Sequence, residues 1–137
     1  MMENTRDFDL LTLGQVLLRL SPPNNERLVR GDTFIKQVGG AELNVAVGVS
    51  LLGLHTGVIS KLPSHDIGTF MKGKIRSYGI SDDYFIYDKS PNARVGIYYY
   101  ESGAYPRKPK VIYDRIGSSF YSLDISEIPE DVYTATR

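Results

Sequence analysis

The sequence predicts an α/β fold built on a parallel sheet. Two successions of strand, helix and strand carry that prediction, the first from Phe8 to Leu62 and the second from Thr56 to Tyr87. A third observation is a change of pattern after Asp88. There the strands RVGIYYYE (Arg94 to Glu101) and KVIYDR (Lys110 to Arg115) flank one loop, Ser102 to Pro109. They read as an antiparallel hairpin appended to the parallel sheet.

Phe8 to Gly14 reads as a first buried strand that ends at a glycine, and Val16 to Leu20 continues extended. Pro22 and Pro23 force a loop, because consecutive prolines exclude both helix and central strand. Thr33 to Val38 reads as a strand running into Gly39 and Gly40. The next stretch organises the chain: an apolar helix from about Ala41 to Leu52, closed by Gly53. Leu43, Val47 and Leu51 form one face, and Val45, Val49 and Leu52 an adjacent one. So broad an apolar surface predicts cover on more than one side. Thr56 to Leu62 is a second buried strand. Asp66 is expected to cap a helix through Met71, Ile75 and Tyr78, with Lys72, Lys74 and Arg76 on a solvated face. Asp83 to Tyr87 is the next strand, and Ile128 to Val132 a short helix or turn.

Composition removes several classes of function. The chain of 137 residues balances 16 basic against 16 acidic residues, which argues against a dedicated nucleic-acid or membrane-surface protein. Cysteine is absent, which excludes disulfides and thiolate chemistry and fits a reducing, cytoplasmic setting. No apolar run approaches the ~20 residues of a membrane span. The polar start MMENTRDFD does not read as a signal peptide. With only two histidines, both in or beside turns, a histidine metal site or triad is not expected.

Chemistry concentrates in two places. Gly39 and Gly40 lead straight into a helix whose first turn carries Asn44. A glycine pair lets a ligand approach the backbone, and a helix start offers unpaired N–H groups and a positive dipole end. That suits a polyhydroxylated or anionic small molecule; a plain turn before a core helix is the alternative. Tyr113 and Arg115 are two apart on a strand and so share a face. A guanidinium fork beside a phenol fits a sugar acid, and the alternative is a surface ion pair, to Asp114 of a neighbour. Tyr98, Tyr99 and Tyr100 alternate between the faces of their strand. The sequence holds neither a GxxxxGK[ST] phosphate loop nor a GxGxxG, and Glu42 and Asp66 stand as carboxylates without an evident partner.

Gly39-Gly40-Ala41-Glu42-Leu43-Asn44-Val45-Ala46, with Gly53 beyond it, resembles the first signature of the PfkB/ribokinase family of sugar kinases. Thr12 to Pro23, Val58 to Pro63 and Val111 to Phe120 are most similar to 2-keto-3-deoxygluconate kinases within it. The resemblance implies a ribokinase-like, Rossmann-type parallel sheet with helices on both faces. It also implies a small β lid near residues 15–38 and 93–116, the whole chain 1–137 being the N-terminal part of such a domain. It carries substrate binding onto Gly39, Gly40, Asn44, Tyr98, Tyr113 and Arg115, with the arginine at the acid's carboxylate. It implies ATP and Mg²⁺ for the full-length protein, a sugar or sugar-acid substrate, and a homodimer through the lid. Fructose or another neutral sugar, or a non-catalytic sugar-binding or dimerisation module, are the alternatives. The pattern departs from the family at Pro63, which replaces a glycine. Gln15 stands where ketodeoxygluconate kinases often have glutamate, and Arg19 where ribokinases have aspartate. The family's second signature, with its anion hole and catalytic aspartate, is absent, as is Asn-x-x-Glu, so no catalytic residue is expected in this chain and a truncated, inactive fragment is.

Overall fold

The computed structural model describes residues 7–137. Residues 1–6, the first part of the polar N-terminal stretch, lie outside the described residues. Strands β1 (Leu10–Leu13), β4 (Thr56–Pro63) and β5 (Phe85–Asp88) form a parallel sheet in the order β1-β4-β5. Helix α1 (Ala41–Leu51) lies on the path from β1 to β4, and α2 (Asp66–Ser77) on the path from β4 to β5. Both strand–helix–strand successions are therefore present as the sequence predicts.

A second sheet holds β2 (Leu17–Ser21), β3 (Ile35–Gly39), β6 (Gly96–Glu101) and β7 (Lys110–Asp114) in the order β3-β2-β6-β7. The hairpin β6–β7 is antiparallel as expected, but it does not extend the parallel sheet. It adds to β2, with which β6 runs parallel, so the appendage is a mixed four-stranded sheet of its own. Strand alternation explains the separation. Leu18, Val38 and Ile97 turn one face of this sheet onto the common core, which leaves the other face for polar groups and tyrosines.

That core unites the two sheets. Leu43 and Ala46 of α1, Val58 and Leu62 of β4, Met71 and Ile75 of α2, and Val16, Leu18 and Val38 form one cluster. Ile59, one residue out of step with Val58, points to the opposite face of β4. There Phe8, Tyr84, Val132 and Ala135 cover it. Short 3-10 turns at Ser119–Ser122 and Ile125–Glu127, and a last helix α3 (Val132–Ala135), lie along the chain that closes this side. Lys61 of β4 reaches Glu127 there at 2.8 Å. Both faces of the parallel sheet are thus covered. Among the described residues no helix is long and apolar enough to cross a membrane.

Four expectations need correction. Only Leu43 and Ala46 of α1 are buried, while Val45 and Leu51 stay exposed at 55% and 80%, so the helix is covered on one side and not on two. The main packing of α1 is against β1 and β4. For the same reason β1 is a partly buried edge strand rather than a buried one, with Leu13 exposed. The third correction is to strand ends. The second sheet starts later than read, at Ile35 and Gly96, and β7 stops at Asp114, one residue short of Arg115.

The fourth is the cap of α2, which is His65 and not Asp66. His65 is extended (φ −80°, ψ −179°), and its Nδ1 accepts the Ile67 N–H at 3.3 Å. Its Nε2 donates to the Ala93 carbonyl at 3.2 Å, so one ring ties α2 to the approach of β6. Asp66 takes the first helical position, where its charge meets the dipole. His65→Ala is expected to lower stability by about 1 kcal/mol, with Asn at the same position restoring most of it. A urea midpoint unchanged by the alanine would contradict this assignment.

Candidate functional site

The site is built where β1 ends. The carboxyl end of a parallel strand is where α/β sheets place ligands, and here Gly14 and Gln15 carry the chain from β1 to β2. A cavity of about 330 Å³ opens between this crossing, the first turn of α1 and the polar face of the second sheet.

The glycine pair forms one wall. Gly40 has φ 133° and ψ 143°, a region open only to glycine, and a Cβ on it would stand 2.7 Å from the Gln15 carbonyl oxygen. The Gly40 carbonyl accepts the N–H of Asn44 at 2.9 Å, closing the first turn. Gly39 sits opposite Leu17 in the β2–β3 ladder, and a Cβ there would collide with the Tyr98 hydroxyl. The two glycines therefore have different tasks. Gly40 allows the turn into the helix, and Gly39 makes room for a phenol.

Tyrosines form the second wall. Tyr98 and Tyr113 are a directly opposed pair of the β6–β7 ladder, with ring centroids 6.0 Å apart. Burial pushes the Tyr98 hydroxyl above its ordinary pKa, so it remains a protonated donor at neutral pH. The alternation read from sequence is visible here. Tyr100, on the same face as Tyr98, carries the Arg19 guanidinium 4.3 Å from its ring centre, while Tyr99 turns to Phe34 on the other face.

Arg115 closes the site. Its Nε donates to Gln15 Oε1 at 2.9 Å, and among the described residues no carboxylate comes within ion-pair distance of it. Asp114, the ion-pair partner weighed from sequence, is taken instead by Arg94 at 2.8 Å. The guanidinium thus lies at a polar cavity beside two phenols without a counter-ion.

Gly40, Asn44, Tyr98, Tyr113 and Arg115 all line this one cavity, and Gly39 lies directly behind Tyr98. Sequence reasoning missed Glu42, Leu17, Ala41 and the structural part of Gln15, which complete the lining. Glu42 faces inward from the first turn, its side chain over Gly14. The missing signal was positional: Glu42 is two residues past Gly40, and Gln15 directly follows the strand whose carboxyl end bounds the site. A larger cavity of about 520 Å³ lies elsewhere, between Phe8, His55 and Tyr84, but it holds neither the glycine pair nor a free cation. Among the described residues no group of three His, Cys, Asp or Glu side chains could hold a metal ion. The groups of the first cavity suit a polyol or an anion, and do not fit a metal–nucleotide pair.

Residues 7–124 match the family model described as pfkB family carbohydrate kinase. The chain belongs to the pfkB family of carbohydrate kinases. Within that family it is 36% identical over 124 residues to the 2-dehydro-3-deoxygalactonokinase of Haloferax volcanii, covering 90% of this chain and 38% of that one. The crystal structure of the 2-dehydro-3-deoxygluconokinase of Thermotoga maritima superposes with a TM-score of 0.83 at 35% identity, over 89% of this chain and 36% of the other. A sugar kinase of Pyrococcus horikoshii, solved in complex with ATP, shares the fold at a TM-score of 0.78 and 23% identity, over 90% of this chain and 39% of the other. This pfkB-family chain therefore spans well under half the length of the kinases it matches.

Proposed function

We propose that this chain is the N-terminal part of an ATP-dependent kinase that phosphorylates 2-keto-3-deoxygluconate or a closely similar sugar acid. The observation that carries the reading is the Arg115 guanidinium, held without a counter-ion at the edge of a polar cavity. A sugar acid supplies what that cavity lacks. Its carboxylate would take the guanidinium fork, since arginine presents paired donors in the geometry of two carboxylate oxygens. Its hydroxyls would meet the backbone at Gly39 and Gly40, the Asn44 amide and the Tyr98 hydroxyl, with Tyr113 alongside. Two of the similar kinases carry names of keto-deoxy sugar acids, in support of this class of substrate.

ATP and Mg²⁺ fall to residues beyond this chain in the same reading, together with the aspartate that activates the acceptor hydroxyl. The exposed apolar side of α1 and the open edge at β1 support such a continuation, because they offer it a surface to cover. A homodimer through the second sheet is part of the proposal. Phe34, Ile35, Val111 and Ile112 there are all exposed and apolar. Work in the cytoplasm completes it. The test is ATP-dependent phosphorylation by the protein expressed from its complete gene, with 2-keto-3-deoxygluconate and fructose offered separately. A higher kcat/KM on the acid is expected. An equal or higher value on fructose would transfer the reading to neutral sugars, and no phosphorylation of either would leave a binding module.

A further inference from the structure

We infer that Gln15 is the positioning residue of the acid-recognising guanidinium: a clamp between Ser118 and Arg115 that aims the guanidinium into the cavity. The inference rests on the sugar-acid reading of the cavity and adds to it the residue that makes Arg115 selective.

Gln15 is 5% exposed, so its amide must find partners within the protein. Both ends do. Its Oε1 accepts from Arg115 Nε at 2.9 Å, and its Nε2 donates to Ser118 Oγ at 2.5 Å. The chemistry fixes which way round the amide lies. A guanidinium only donates, so it takes the carbonyl end, and the NH₂ end is left for the serine hydroxyl. Ser118 is itself buried and anchored. Its N–H donates to the Arg115 carbonyl at 3.3 Å, and the adjoining Ser119 exchanges hydrogen bonds with Arg94 and donates to Asp88 at 2.7 Å. Room for the clamp comes from Gly96. A Cβ there would stand 2.5 Å from Gln15 Nε2 and 3.2 Å from the Arg115 Cβ.

Two consequences follow for recognition. Arg115 leaves β7 one residue before its own position and has a long, flexible side chain, so an anchor at Nε removes most of the rotamer entropy that binding would otherwise cost. The anchor uses Nε and leaves the two Nη groups for a ligand.

The experiment uses the protein from its complete gene and compares KM and kcat for 2-keto-3-deoxygluconate and for fructose in the wild type, Gln15→Leu, Gln15→Glu and Arg115→Ala. Gln15→Leu is expected to raise KM for the acid by about tenfold more than KM for fructose, with a smaller effect on kcat. Gln15→Glu keeps an acceptor oxygen for Arg115 Nε and is expected to hold the acid KM much nearer to wild type than Gln15→Leu does. Should Gln15→Leu fail to fold, Ser118→Ala removes the other end of the clamp and is expected to shift the acid KM in the same direction. An acid KM within twofold of wild type in Gln15→Leu or Ser118→Ala, while Arg115→Ala loses the acid selectively, would overturn the clamp and leave the acid site standing. Loss in Arg115→Ala that is equal on acid and fructose would overturn the acid site, and the clamp with it.

Discussion

Arg115→Ala is expected to lower kcat/KM for 2-keto-3-deoxygluconate by roughly 10- to 150-fold while changing that for a neutral sugar by far less. The magnitude is that of a hydrogen-bonded pair with a charged group, about 1.5–3 kcal/mol, converted to a rate ratio. It sits at the upper end here because the guanidinium has no other counter-ion among the described residues and is held by Gln15. Most of the loss belongs in KM, since the carboxylate lies away from the hydroxyl that reacts and is bound equally in ground and transition states. Arg115→Lys is expected to recover little, because an ammonium offers a point charge where the site presents a planar fork. Steady-state kinetics on the acid and on fructose check both variants. A lysine variant as good as wild type would show that charge alone is read.

Gly40→Ala is the second large effect. Its φ of 133° with ψ 143° is a backbone region that costs a residue with a side chain about 1–3 kcal/mol. The new methyl would also meet the Gln15 carbonyl oxygen, a backbone atom that cannot swing aside. Relief must come from moving the start of α1 away from the β1–β2 crossing, which carries Asn44 and Glu42 out of the cavity. A lower urea midpoint together with a higher KM is therefore expected. Gly48, in the middle of the same helix with open space around its Cα, is the control. Gly48→Ala should be neutral or stabilise by about 0.5–1 kcal/mol, as alanine does for glycine within a helix. If both alanines behave alike, the difference drawn between the two glycines is wrong.

The parallel core was legible because its signals are local. Gly39 and Gly40 before a helix, Gly53 after it, and two apolar strands at crossover distance each follow from periodicity and turn chemistry. Tyr113 and Arg115 were paired from their two-residue spacing, and both line the cavity although β7 ends at Asp114, one residue before Arg115. The architecture of the second sheet was not legible from pattern, because β2 pairs with β6 across more than 70 intervening positions. No local rule forces that parallel pairing. Gln15 lost its meaning in the sequence for a similar reason. Its partners, Arg115 and Ser118, are 100 and 103 residues away, and a lone glutamine carries no motif. The α2 cap was misread because Asp66 has the stronger propensity, while His65 has the extended backbone and the second partner, Ala93, that only the fold supplies. The breadth of the apolar surface of α1 was legible, but the cover it predicted on a second side is not found among the described residues, where Val45 and Leu51 stay exposed.

The central claim is that the carboxylate of the substrate is what Arg115 reads. Isothermal titration of the protein from its complete gene tests it most directly, with 2-keto-3-deoxygluconate compared against its uncharged carboxamide. The two ligands share the hydroxyls proposed to meet Gly40 and Asn44 and differ at the group proposed to meet Arg115. The account predicts that the acid binds at least about tenfold tighter than the amide, and that the gap closes in Arg115→Ala. Equal affinity of acid and amide for the wild-type protein would contradict it.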